Sequence, residues 1–152
     1  MVEQWVRFKC TFSCDSYATK PVCPPNVPPI AECEKFFSEF SNAIILRVES
    51  PAHHRNFDFK VFEETDDKVL ELEKDLFYAG YYKAMAFSAT ICYRCGDECA
   101  KNTECKNNYK SRPTPEALGV DIFATVKKIG YPIEVLSSYD QNMNRYYLIM
   151  IE

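Results

Sequence analysis

The chain has little of what most ligand-binding loops are made from. Its 152 residues include four glycines, two histidines and one tryptophan. So few glycines leave little material for the backbone nests that cradle phosphates, and neither a P-loop nor a G-x-G-x-x-G fingerprint is present. The G-x-S-x-G elbow and the H-E-x-x-H metalloprotease helix are also missing. The two histidines, His53 and His54, are adjacent and cannot share one helical or strand face. Nothing near them completes a ligand set, so they read as solvated loop residues. No apolar run approaches the roughly 20 residues of a membrane helix. The start, MVEQWVRFKCTF, carries acid and base early and has no continuous apolar stretch ending in small residues, so a secretory signal is not expected and a cytoplasmic protein is. There is no basic excess either: a net charge of −4 and a pI near 5.3 argue against nucleic-acid binding. Charge alone implies no partner, and no internal repeat is visible beyond a loose duplication of cysteine groups.

What the chain does have is sulfur. Four of its eight cysteines, Cys92, Cys95, Cys99 and Cys105, fall within fourteen residues at the spacing C-x2-C-x3-C-x5-C. Core packing alone does not account for so tight a run. A second group, Cys10, Cys14, Cys23 and Cys33, is spaced C-x3-C-x8-C-x9-C near the N-terminus. An apolar middle separates the two sets. In a reducing compartment clustered cysteines more often bind metal than form disulfides.

The length and the 47 % apolar and 26 % charged content fit one soluble domain over residues 1–152, long enough to bury a core. Gln4 to Phe12 alternates Trp5, Arg7 and Lys9 against Val6, Phe8 and Cys10, the period of a strand. The following CDSYATKPVCPPNVPPI holds five prolines, which exclude a helix and fix much of the backbone. It reads as a stiff loop setting Cys14 and Cys23 around a metal, or as a proline-rich connector. From Ala31, Cys33, Phe36, Phe37 and Phe40 recur at helical spacing. Cys33 is then either a ligand facing that loop or a small core residue. Ala43 to Val48 is a short apolar run expected as a buried strand, followed by a polar loop from Pro51 to Lys60.

The longest helix is expected from about Phe62 to Ala89, with acids in its early turns and Gly80 as a tolerated interruption, aiming the chain directly into Cys92. Thr114 as N-cap, Pro115 and Glu116 open another helix that Gly130 and Pro132 end. Ile133 to Leu136 and Tyr146 to Ile151 read as two closing antiparallel strands. The expected fold is α+β, a small mostly antiparallel sheet with about three helices and two cysteine-rich metal-binding loops.

Structural zinc sites generally use two cysteine pairs set about 12 to 20 residues apart, unlike the run from Cys92 to Cys105. That run lies closer to the cubane-binding C-x2-C-x2-C-x3-C-P, loosened and with Lys106 in place of the final proline. The spacing favours [4Fe-4S] clusters, two if all eight cysteines ligate, with zinc as the alternative. Around the main run Arg94, Lys101, Lys106, Lys110 and Arg112 outnumber Asp97, Glu98 and Glu104. That excess would favour the reduced cluster and steer an acidic redox partner, or is simply a solvated face.

Taken together, the C-x3-C-x2-Y followed by CPP, the KA-x-AFSAT-x-C-x2-C segment, and C-x6-RP-x-PEALG-x-DIF resemble a family of predicted metal-binding proteins, the domain of unknown function 2284 family. In that family a CPP motif precedes a C-x2-C and an RPS-x-EA-x-GIDV motif. Here Thr114-Pro115 stands for the usual Ser-Met, Val120 for Ile, and Thr90-Ile91 where the family has Gly before the first cysteine of the main run. The resemblance implies cysteine-bound metal, cubane clusters, and anaerobic hosts, in some cases beside corrinoid methyltransferase systems.

Two arrangements follow. Four plus four thiolates would close both clusters and suit one-electron transfer, as a carrier or as the accessory subunit of a redox or methyltransferase partner protein. With Cys33 in the core, the N-terminal group offers three thiolates and leaves one iron open for Lewis-acid chemistry or sulfur transfer, which would make the protein an enzyme. A zinc-stapled interaction module is the third reading. Neither a nucleic acid nor a membrane is expected among the partners.

Overall fold

The computed structural model describes residues 2–52, 59–99 and 104–152, without the side chains of residues 59–61 and 97. His53 and His54, most of the predicted loop around them, and Lys101 lie outside the described residues. Among the described residues four α-helices, rather than the expected three or so, surround one sheet: α1 (Gln4–Ser13), α2 (Ile30–Ser38), α3 (Phe59–Tyr78) and α4 (Ile122–Lys128), around β1 (Ala43–Pro51), β2 (Met85–Phe87) and β3 (Asn142–Met150). The expected α+β class with an antiparallel sheet is what the structure has. Among the described residues no helix is long and apolar enough to cross a membrane.

The sheet order is β1-β3-β2, with both pairings antiparallel. β3 is therefore the central strand, and Tyr146 to Met150 are all buried. A strand covered on both faces is a near-continuous apolar run, which YYLIM supplies. Its side chains divide by the period of two. Tyr147 and Ile149 join Val69 of α3 and Ala86 of β2, with Leu72 and Leu76 packed against them. On the other face Leu148 and Met150 meet Phe87, Leu118 and Cys33, with Phe36, Phe37 and Phe40 completing that cluster. Helices thus cover the sheet from both sides.

Four expectations need correction. Gln4–Ser13 is a helix, not a strand. The alternation that suggested a strand coexists with a helical set: Phe8 and Phe12, four residues apart, stack at 5.7 Å between ring centroids. The long helix stops at Tyr78 rather than continuing to Ala89. Gly80, at φ +105°, ends it in a Schellman turn, with Tyr81 N–H donating to Leu76 O at 3.0 Å and Gly80 N–H to Phe77 O at 3.1 Å. The helix-favouring sequence beyond becomes β2, because pairing of Met85, Ala86 and Phe87 with Met150, Ile149 and Leu148 outweighs local propensity. Third, the expected helix after Thr114 is split. Thr114 Oγ1 accepts from Ala117 N–H at 3.2 Å above a 3-10 turn, Glu116–Leu118, and Asp121 then caps α4 by accepting from Ala124 N–H at 2.9 Å. Finally, Ile133 to Leu136 forms no strand, and β3 pairs with β1 instead. Ile133 still fills the core beside Ile122, Val126 and Tyr146.

Gly119 makes the split possible. At φ +87° it turns the chain so that Glu3 N–H reaches Gly119 O at 2.7 Å and Val2 bridges Val120, seating α1 on the 3-10 turn. A Cβ here would strike Ile30 Cδ1 and lie 3.2 Å from Val2 Cγ1. Gly119→Ala combines left-handed backbone strain with that collision, and it is expected to cost on the order of 1–3 kcal/mol. Denaturant unfolding should show the loss, and an unchanged midpoint would contradict this account of the turn.

Candidate metal centre

All eight cysteines are free thiols, of which Cys23 and Cys33 are buried and Cys14 is exposed. α1 carries Cys10 on its last turns and ends at Cys14, its C-cap residue. From there the proline-rich segment folds back on itself through its own backbone. Tyr17 N–H donates to Cys14 O at 3.1 Å, Ala18 N–H to Pro24 O at 2.8 Å, Cys23 N–H to Lys20 O at 3.1 Å and Asn26 N–H to Cys23 O at 2.9 Å. Asn26 Nδ2 adds a bond to Lys20 O at 3.1 Å. The prolines shed donors the loop would have to satisfy, while the remaining N–H groups tie it into consecutive turns.

That loop gathers Cys10, Cys14 and Cys23 close enough to feel one another's charge. Burial, and then the neighbouring Cys14, push the Cys23 thiol up to about 11, with Cys10 and Cys92 adding in the same direction and Lys20 opposing. Cys10 is raised by burial and then by Cys14, against Arg7. The influence of Cys92 on Cys23 is informative, because these residues belong to the two different cysteine sets. Lys20 and Tyr93 bridge the gap between them. Lys20 Nζ lies 5.5 Å from the Tyr93 ring centroid, its charge acts on both Cys23 and Cys92, and Tyr93 lies within electrostatic reach of Cys14 and Cys23.

The main run leaves β2 and is pinned at both ends. Ser88 N–H donates to Pro113 O at 3.1 Å, so the chain departs and returns at one point. Glu73 on α3 accepts from Ala86 N–H at 2.5 Å and pairs with Arg112 at 2.6 Å, with both side chains mostly buried. Within the run, burial raises the Cys92 thiol while a backbone hydrogen bond from Arg94 favours its thiolate, and Cys105 lies near enough to raise it further. Asn107 Nδ2 donates to Cys95 Sγ at 3.1 Å, and Cys105 Sγ donates to Ser111 Oγ at 3.4 Å. Cys99 follows a 3-10 turn, Gly96–Glu98. Three of the cations counted around the run are engaged by α3. Arg94 and Lys110 meet Asp67 at 2.9 and 3.6 Å, and Arg112 meets Glu73.

Cys33 lies apart. It sits on α2 in the apolar cluster with Phe87, Leu118, Leu148 and Met150, and its thiol donates to Pro28 O at 3.4 Å. The charges acting on it come from Arg7 and Glu32, and Arg7 Nη2 is 3.9 Å from its sulfur. Sequence reasoning named every cysteine but missed Lys20, Tyr93, Asn107 and Ser111. A lysine and a tyrosine inside a proline-rich loop and a C-x2-C spacer carry no periodic signal that would single them out.

The donor set suits a soft metal centre. Several partly buried thiols raise one another's pKa with few cations nearby, and deprotonating them together needs compensating positive charge, which a thiolate-bound metal supplies. Among the described residues no group of three or more His, Cys, Asp or Glu side chains is arranged to hold a metal ion as it stands. The thiols share a region without converging on one point.

The raised Cys23 value has a consequence for the metal-free protein. A thiol whose folded pKa lies above its ordinary 9.0 contributes stability that is fully present below pH 9 and lost as pH rises through about 11. Metal-free protein should therefore lose stability across that window, and Cys23→Ala should flatten the loss. Parallel curves of stability against pH for the two proteins would contradict the assignment.

The profile of one family, described as predicted metal-binding protein (DUF2284), matches residues 1–151, and the chain belongs to that family. No curated protein and no solved structure matches the chain.

Proposed function

From that membership we propose that the protein is a small iron–sulfur protein carrying two [4Fe-4S] clusters, in electron transfer or as accessory subunit of a larger anaerobic redox or methyl-transfer system. Cys92, Cys95, Cys99 and Cys105 would hold one cluster, and Cys10, Cys14 and Cys23, with Cys33 as candidate fourth ligand, the other. The observation that carries this reading is the electrostatic contact of Cys23 with Cys14, Cys10 and Cys92, which brings both cysteine sets into one region. Bound cubane clusters would supply one-electron chemistry. The chain's own contribution would be to set their potential and insulation. Hydrogen bonds to Cys92 and Cys95 sulfur, from the Arg94 backbone and Asn107 Nδ2, stabilise added negative charge. Lys20, acting on Cys23 and Cys92, does the same between the sets. A cytoplasmic setting and a redox or methyltransferase partner protein belong to the same proposal.

The seclusion of Cys33 among apolar side chains favours a second reading, in which the N-terminal set offers three thiolates and the protein is an enzyme with one open iron. The third, a zinc-stapled module, has the same thiols but no redox role. Protein purified without oxygen should contain about eight iron and eight sulfide per chain for two clusters of four, with paramagnetic signals appearing on dithionite reduction. In Cys33→Ala, retention of both clusters supports the open-iron reading, and loss of one supports closed coordination. Stoichiometric zinc without sulfide would overturn both iron readings.

A further inference from the structure

Beside the N-terminal thiols lies a cavity of about 630 Å³, within the range of roughly 300–1,000 Å³ typical of small-molecule sites. One wall is a face of α1, where Trp5, Lys9 and Cys10 follow helical spacing, and the opposite wall is the entry to α4, including Phe123. Apolar side chains line most of it. The two aromatic rings are accessible, Trp5 at 50 % and Phe123 at 37 % exposure.

The polar groups of this cavity are mostly of one sign. Two carboxylates, Glu116 and Asp121, line it together with Cys10 and Cys14, against the single ammonium of the exposed Lys9. Asp121 uses an oxygen to cap α4. Glu116 has hydrogen bonds with Thr114 and its own backbone, and among the described residues it has no ion-pair partner. A cation entering from the cavity would supply what the protein does not, whereas an anion would face two carboxylates. Aromatic faces also attract cations.

We infer that this cavity binds a small organic amine, its apolar or aromatic body against Trp5 and Phe123 and its cationic nitrogen on Glu116. Cys10 and Cys14 line the same cavity, so the amine would sit beside any metal those thiols hold, but the inference itself stands on the cavity, the carboxylate and the rings.

Calorimetric titration of the protein as isolated with benzylamine, benzyl alcohol and benzoate tests this directly. Benzylamine should bind about tenfold or more tightly than either of the others, the return of one charge-assisted hydrogen bond. Glu116→Gln should erase its advantage over benzyl alcohol, and Trp5→Ala, a change at a half-exposed position, should weaken benzylamine and benzyl alcohol alike. Benzoate binding as tightly as benzylamine, no saturable heat at millimolar benzylamine, or an unchanged affinity in Trp5→Ala would overturn the site. If Glu116→Gln fails to fold, the order of the three probes and the Trp5 variant still decide. Metal analysis of the same sample keeps this outcome separate from that of the cluster reading.

Discussion

One carboxylate holds the main cysteine run to the rest of the fold. Glu73, on the sheet-facing side of α3, accepts from the Ala86 backbone and from Arg112, so a single side chain grips both the strand that leads into the main cysteine run and the segment that returns from it. The Ser88 to Pro113 bond closes the same neck. Among the described residues between them the only helix is the 3-10 turn Gly96–Glu98, and a long loop is defined mainly by how its ends are fixed. Ion pairs this shielded are hard to lose from one side only, because the abandoned partner keeps its desolvation cost. The shortness of β2 becomes intelligible on this basis. Three residues on a sheet edge would be a weak anchor without a helix carboxylate fastened to one of their amides.

The opposite half solves a different problem. Cys10 and Cys14 sit at the end of a short helix whose only fully buried residue is Val6, and α1 is fixed by the Gly119 turn and the Val2–Val120 bridge rather than by a deep core. The loop that follows carries Cys23 back against them. Desolvation and the neighbouring Cys14 make the Cys10 and Cys23 thiols reluctant to ionise, and the few cations nearby, Arg7 and Lys20, offset only part of that. Such a cluster is a poor place for free thiolates and a good one for thiolates neutralised by metal. The α3 acids, meanwhile, engage Arg94, Lys110 and Arg112. The apparent basic excess of the main run is thereby largely compensated within the fold, which weakens the case for a positive docking face there.

Much of this was legible in the sequence, and the failures have identifiable causes. α2 and β1 follow from the Cys33, Phe36, Phe37, Phe40 spacing and the AIILRV run, since each buries one clear face. α1 was misread because nine residues with mixed polarity satisfy period two and period 3.6 nearly equally. β2 reads as helix because Lys83 to Ala89 favours helix locally, while the competing influence, pairing with β3, comes from residues more than sixty positions away. The role of Gly119 was hidden for a related reason: a single left-handed residue divides what reads as one helix, and the need for it arises from contact with Val2 and Ile30. At the site, the two cysteine groups are visible in the spacing. Their nearness to each other is not. Two sets separated by an apolar middle give no hint that Cys23 and Cys92 lie within electrostatic reach, whereas the helical spacing around Cys33 leaves ligand and core both open, and the structure puts it in the core.

On the proposed reading each of the two cysteine sets holds its own iron. Crystals grown without oxygen, with anomalous scattering recorded at the iron and zinc edges, would test it most directly. Two separate iron sites are expected, one within the loop from Cys92 to Cys105 and one beside Cys10, Cys14 and Cys23. Anomalous signal at the zinc edge alone, or metal bound away from these sulfurs, would contradict it.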